Sequence, residues 1–398
     1  MSLATAEDQD ATARHIAGYL PDMVALRRDI HRHPELGYQE QRTSDLVAAA
    51  LEGWGYEVHR GMGGTGVVGT LRAGSGSKVL GIRADMDALP ILETTGLDYA
   101  SQHPGRMHAC GHDGHTTTLL TAARCLAETR AFDGTLHLIF QPAEEGLGGA
   151  LKMMQDGLFE LFPCDQVFGL HNMPGVPTGK FCFVDGAAMA SSDTALLRIR
   201  GQGGHGAVPD KAVDPIVASA ATVMALQTVV SRNVAPLDTA VVTVGSIHGG
   251  EASNVIPDAV EMKLTIRAFQ DSTRDLLEQR IGALVRAQAE SFGATAELDY
   301  QRGYPVLVNH DGPTAFARQV AVDHFGADAL HPFAPIPASE DFAYMLQQVP
   351  GCYLFVGNGP SANLHNAAYD FNDEAIPYGV SYWVTLAETA LAAQDMAA

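Results

Sequence analysis

Met107-His108-Ala109-Cys110-Gly111-His112-Asp113-Gly114-His115 places a thiol, three imidazoles and a carboxylate within nine positions. It runs directly into Thr116-Thr117-Thr118-Leu119-Leu120-Thr121-Ala122-Ala123, which reads as a helix. The polar cluster therefore stands at a turn or helix start, where side chains and free N–H groups can converge on one point. Cys110 and His112 are two apart, so an extended backbone would send both side chains from one face. A thiolate and an imidazole on one face suit a divalent transition metal. The plainer alternative is a polar loop with a buried structural cysteine. The rest of the chain decides between them.

At 398 residues the chain is too long for one compact core and suggests two domains. Hydrophobic content of 46% and charged content of 18% describe an ordinary globular protein. The formal net charge of −21 argues against nucleic-acid binding and against docking to anionic membranes. The N-terminus is acidic, without the basic-then-apolar pattern of a signal peptide, and no run of about eighteen apolar residues suggests a bilayer span. Cys110, Cys125, Cys164, Cys182 and Cys352 form no C-x-x-C pair, which points to a reducing, cytoplasmic compartment.

Along the chain, 11–33 reads as helix, interrupted or restarted at Pro21, and 43–52 as a second helix. Strand-like runs follow at 56–60, 66–72 and 78–85. Helix 114–128 leads to strand 135–140, and helix 149–159 to strand 166–171. This alternation indicates an α/β domain with a largely parallel sheet. After Gly186 the order becomes strand 193–201, helix 214–231, strands 240–247 and 258–269, helix 273–292 and strand 295–301. That is βαββαβ, a split ferredoxin-like unit complete in itself. Residues 188–303 are therefore expected as a domain inserted into one made of 1–187 and 304–398.

Gln141-Pro142-Ala143-Glu144-Glu145-Gly146 follows strand 135–140 directly. Functional groups of open α/β sheets gather at the carboxyl ends of strands. In extended backbone Glu144 and Glu145 would point to opposite sides, one ligating a metal and the other facing substrate as a base. His171 ends the next strand, and His365 lies in the loop after the strand at 352–357. Taken singly, each of these has a structural alternative: a solvated acidic turn, or a hydrogen-bonded core histidine. Asp85 and Asp87 end strand 78–85 and could orient a ligating imidazole. Together, Cys110, His112, Glu145, His171 and His365 suit two metals sharing a bridging group, with an open position for water. Two other motifs lack their context. Gly61-Met62-Gly63-Gly64-Thr65-Gly66 matches G-x-G-x-x-G but joins strand to strand, not strand to helix. A Cys110 nucleophile would leave Glu144, Glu145, His171 and His365 unexplained.

These stretches resemble the M20 metallopeptidase family, in its aminoacylase and hippurate hydrolase branch (subfamily D). The resemblance is carried by His31-Arg32-His33-Pro34-Glu35-Leu36, Arg83 to Pro90, Met107 to His115, Gln141 to Glu145 with Gly148-Gly149-Ala150, and Leu170 to Pro174. It continues through Gly203-Gly204-His205-Gly206 with Pro209, Ser253 to Pro257, Ser339-Glu340-Asp341-Phe342 and Leu364 to Asp373. Ala367 departs from the proline that relatives usually show there.

The resemblance implies a zinc-peptidase-like catalytic domain and an inserted lid and dimerisation domain, hence a homodimer or a tetramer. It implies two divalent ions (zinc, manganese, cobalt or nickel) with Cys110 bridging, His112 and His171 on one ion, and Glu145 and His365 on the other. Glu144 would be the general base, with Asp87 and His205 in the catalytic set. Asn254 and Arg267 would bind substrate, Arg267 gripping an α-carboxylate bidentately unless it is simply a surface arginine. His205, in a loop with four glycines, would donate to the oxyanion in a partner subunit's site, unless it is an idle surface residue. The implied reaction removes an acyl group such as benzoyl, acetyl or indoleacetyl from an amino acid. A dipeptidase or carboxypeptidase of the same superfamily is the alternative. A non-catalytic binding protein would normally have lost a ligand or the base, and this sequence has lost none.

Overall fold

The computed structural model describes residues 6–393, and the chain divides into two compact units. The larger comprises residues up to Gly186, Asn309–Ala334 and the chain from Tyr344; the smaller comprises Ala187–Val308 and Pro335–Ala343.

The larger unit is built on a seven-stranded sheet. Its centre is four parallel neighbours, Gly134–Gln141, Val79–Asp85, Gln166–Pro174 and Gly351–Gly359. Antiparallel strands flank them: Gly66–Ala73 and Glu57–Met62 on one side, Phe181–Cys182 on the other. The parallel strands are buried almost throughout, as expected where helices cover both faces of a sheet. Leu80, Ile82, Leu136, Leu138, Phe168 and Leu354 belong to one core with the helix His112–Thr129. The helices Ala6–Arg32 and Ile376–Ala390 pack against that helix. Four parallel strands necessarily end on the same side, so the segments after Asp85, Gln141, Pro174 and Gly359 emerge along one rim.

The N-terminal helix runs through Pro21 without a break, Ala6–Arg32. The lost N–H hydrogen bond there is outweighed by packing along the helix. Where one helix is expected over 149–159, two form, Gly149–Gln155 and Leu158–Leu161, because Gly157 takes φ +92° between them.

The smaller unit has a four-stranded antiparallel sheet in the order Ala240–His248, Ala259–Ala268, Asp193–Arg200, Thr295–Arg302. With the helices Pro215–Asn233 and Asp271–Ser291 the chain order is βαββαβ. Asp214 caps the first of these helices by accepting the Ile216 N–H at 2.8 Å, with Pro215 at the first turn. Asp193 is buried and receives Arg274 Nε at 3.0 Å and the Tyr300 hydroxyl at 2.9 Å, tying sheet to helix. Helix Pro215–Asn233 is long and apolar enough, by length and composition, to cross a bilayer. One face of it, with Ala218, Leu226 and Val229, instead packs in the core of this unit, while Ile216, Val217 and Met224 remain exposed.

Candidate metal centre

The rim of the larger sheet gathers the chemistry. Cys110 precedes the helix His112–Thr129, and Gly111 caps that helix in the left-handed region, φ +92°. Only glycine fits there: a Cβ would stand 2.4 Å from Asn172 Oδ1 and 2.6 Å from the Tyr369 hydroxyl. Cys110 and His112 thus converge through a turn and not through the extended alternation expected above. The same correction applies to Glu144 and Glu145. Ala143 is left-handed (φ +53°, ψ +44°) and Glu145 leaves helical geometry (φ −68°, ψ +73°). Both carboxylates therefore turn to the same side, each offering an oxygen within 4.8 Å of a His112 nitrogen.

Two ligand groups share one atom. Cys110, His112 and His171 bring ligand atoms within 4.8 Å of one another, and so do Cys110, Glu145 and His365. Cys110 Sγ lies 3.3 Å from His171 Nε2, and Glu145 Oε1 lies 3.2 Å from His365 Nε2. His365 itself has φ +62°, a conformation that non-glycine residues adopt at a cost and that collects at functional sites.

The imidazoles are aimed by what holds their other nitrogen. His171 Nδ1 donates to the Asn172 carbonyl at 2.7 Å, leaving Nε2 toward Cys110. His112 Nδ1 faces Asp87 Oδ1 at 3.2 Å, and its buried Nε2 has no hydrogen-bond partner among the described residues. That Nε2 faces Asp85 Oδ2 at 3.7 Å, too far for a hydrogen bond; a fixed Nδ1 with an Nε2 that makes no hydrogen bond is what a ligating histidine needs. The donor set of one thiol, three imidazoles and a carboxylate fits divalent transition ions.

The electrostatics fit cations as well. Burial, then Glu145, Glu144 and Asp85, hold the Cys110 thiol well above its usual range; a thiolate there calls for positive charge beside it. Burial alone would lower His112, but the Asp85 and Asp87 carboxylates outweigh it and hold the ring up to about 10. The hydrogen bond with Glu145 raises His365. Burial and the neighbouring His115 ring push His171 well below its usual range.

His115 was not singled out from the sequence as a functional residue, yet it links three ligand-bearing segments. Its Nδ1 lies 2.6 Å from Asp85 Oδ1, and its Nε2 accepts the Asn172 N–H at 3.0 Å. Asn172 in turn donates to the Tyr369 hydroxyl at 2.5 Å. The signal was the spacing: His112 and His115 are three apart and share one helix face. Asp87 does more than orient a ring, since it also accepts the N–H groups of Glu144 and Glu145, both at 3.0 Å.

His205, Asn254 and Arg267 belong to the smaller unit. His205 is exposed on a two-residue strand, Gly204–His205, paired with Val255–Ile256. Asn254 adjoins it, its carbonyl accepting the Gly206 N–H at 2.8 Å. Arg267 is half-buried on Ala259–Ala268, with Nη1 2.6 Å from Thr265 Oγ1.

Known proteins share this chain's sequence and fold. Hippurate hydrolase of Campylobacter jejuni is 46% identical over 91% of this chain and 94% of its own length. An IAA-amino acid hydrolase of Arabidopsis thaliana, ILR1-like 5, is 40% identical over 92% of this chain and 86% of its own. N-acetyl-L-cysteine deacetylase of Bacillus subtilis is 39% identical over 89% and 84%. The crystal structure of the Bacillus subtilis YXEP protein, described as a dinuclear metal binding peptidase from the M20 family, superposes with a TM-score of 0.83. It is 32% identical over 94% of this chain and 99% of its own. The pattern of peptidase family M20/M25/M40 matches residues 81–389, a span that takes in all five candidate ligands and Glu144, so the chain belongs to that family.

Proposed function

We propose that this chain hydrolyses the amide bond of N-acyl-L-amino acids, releasing a carboxylic acid and a free amino acid. The observation that carries the reading is that Cys110 takes part in both ligand groups, one with His112 and His171, the other with Glu145 and His365. Cys110, His112, His171, Glu145 and His365 would together hold two divalent ions. The relatives support the substrate class, since hippurate, IAA-amino acids and N-acetylcysteine each join an acyl group to an amino-acid nitrogen.

Two divalent ions held there would supply Lewis acidity, acidifying a bound water and polarising the amide carbonyl. The Glu144 carboxylate accepts the water's proton as its oxygen bonds to the carbonyl carbon. Glu144 then passes that proton to the departing nitrogen as the C–N bond breaks. Asp87 keeps the His112 ring and the Glu144 backbone in register during both transfers. His205 donates to the oxyanion, and Arg267 with Asn254 holds the amino acid's carboxylate. The exposed Ile216, Val217 and Met224 of the smaller unit support a homodimer formed through that unit. The five unpaired cysteines support a cytoplasmic location.

The test is a substrate panel of hippurate, N-acetyl amino acids and dipeptides, assayed after loading with zinc, manganese, cobalt or nickel and again after chelation. Cleavage of the acyl amino acids that is lost on chelation is expected. A preparation holding two ions that cleaves only dipeptides would move the assignment to a peptidase.

A further inference from the structure

The turn that carries Glu144 and Glu145 is gripped from outside the ligand cluster. Glu40, just ahead of the helix Gln41–Gly53, is fully buried. One of its oxygens accepts the Ala143 N–H at 2.8 Å; the other accepts the Thr65 hydroxyl at 2.6 Å. With Asp87 on the next two amides, three consecutive N–H groups, those of Ala143, Glu144 and Glu145, are received by two buried carboxylates. The first of the three is the left-handed Ala143, a conformation that is costly for a non-glycine residue and needs holding.

Segments on both sides of Glu40 and Thr65 press on the same turn. A Cβ on Gly37 would stand 3.1 Å from the Ala143 Cα, and one on Gly66 would stand 3.1 Å from the Pro142 ring. The Gly61–Gly66 run, which has no helix after it to serve a dinucleotide, is here the floor under Pro142. Among the described residues no cation pairs with Glu40. Burial pushes its carboxyl up to about 7, Thr65 pulls it down, and Asp87 adds to the rise. A buried carboxyl without a cation weakens a fold compared with an apolar side chain of similar size. Stability therefore does not account for it, whereas its grip on Ala143 does.

We propose that Glu40 is a positioning residue, which, braced by Thr65, fixes the left-handed Ala143 and so aims Glu144 and Glu145 at the ligand cluster. The inference rests on the roles proposed above for those two carboxylates.

The test compares Glu40→Gln, Glu40→Ala and Thr65→Val in the full chain. Affinity for both ions is read by chelator competition with manganese and zinc, and kcat and KM are read on hippurate. The amide of Glu40→Gln still accepts the Ala143 N–H, and Thr65 can turn its hydroxyl to accept from the amide, so all readouts should stay within about threefold of the parent. Glu40→Ala should lower kcat by about 10–100-fold with KM nearly unchanged, because a small misplacement of a catalytic group is enough for that. It should also weaken one of the two ions by roughly tenfold, and Thr65→Val should show the same pattern in smaller measure. A Glu40→Ala protein, or Thr65→Val should the former not fold, that loses melting temperature but keeps kcat and both ion affinities overturns the proposal. Equal damage from Glu40→Gln and Glu40→Ala overturns it too. Ion affinity is measured without substrate, so a parent that binds two ions yet cleaves no acyl amino acid would refute the proposed function and leave this test intact.

Discussion

Asp87 Oδ1 stands 3.2 Å from His112 Nδ1, and the same carboxylate takes the backbone N–H groups of Glu144 and Glu145. One buried side chain therefore sets both the imidazole tautomer and the course of the acidic turn. Asp87→Asn, which keeps the shape and removes the charge, should lower metal affinity or activity about 10–100-fold, as loss of a partner behind a ligand usually does. Chelator competition beside kcat measurement checks this. Parent-like values in both would mean that His112 needs no anion behind it.

Glu144 and Glu145 are adjacent in sequence but assigned different work. Glu144→Gln should keep both ions and lose about two to four decades of rate, the usual effect of removing a general base. Glu145→Gln should instead lose metal. Metal analysis of purified variants separates the two, and equal metal loss in both would show the roles to be misassigned.

His205→Ala should lower kcat on the order of a hundredfold, as removal of one oxyanion donor does, with metal content unchanged. Mixing this variant with Glu144→Gln subunits should restore activity if His205 serves the partner's site, because one site per heterodimer then holds both native residues. A mixture that stays inactive after verified subunit exchange would assign His205 to its own chain or to no site.

The convergence of the five candidate ligand positions was legible in the sequence because each follows a strand or opens a helix of one α/β pattern, and parallel strands deliver their ends to one rim. The local geometry was not. Alternation along an extended chain predicts that Glu144 and Glu145 diverge, but a left-handed alanine sits before them, and nothing in the composition of Pro142-Ala143-Glu144 signals that conformation. Glu40 was equally silent, since its partner Ala143 lies far along the chain and offers only a backbone amide. Pro21 misled for the opposite reason: propensity is a weak term, and a long helix packed on its neighbours overrides it.

Behind the ligand helix, His31 Nδ1 lies 2.8 Å from the buried Asp113. Burial works against a charged ring, yet Asp113 and Glu93 hold His31 up to about 9, from an ordinary 6.5. The folded chain thus keeps this proton longer than the unfolded chain does. The pair's contribution to stability is complete below about 6.5 and fades as pH rises through about 9. Melting temperatures of the metal-free parent and of His31→Gln should therefore converge between those values. A gap that stays constant with pH would show that the charge on His31 is not what stabilises.

Gly111→Ala should be among the more damaging single-methyl changes. A left-handed alanine alone costs about 1–2 kcal/mol, and the new methyl would run into Asn172 and Tyr369. A lowered melting temperature together with weaker metal binding is expected, read by calorimetry with and without added manganese. Parent-like stability would mean that the two partners can move aside.

The strand Gly351–Gly359 is the outer neighbour of Gln166–Pro174, although roughly 180 residues separate them along the chain. During synthesis at about 5–20 residues per second, the edge of Gln166–Pro174 waits roughly 10–35 s for its partner. Over that interval the nascent polypeptide presents a long, buried-type strand with a free row of backbone donors and acceptors, a ready template for another chain. The candidate ligand His365 leaves the ribosome after the strand that covers this edge. On the proposed ligand set, capture of ions by all five residues therefore waits for the last of them, and a chain cut short before residue 351 lacks both the covering strand and His365.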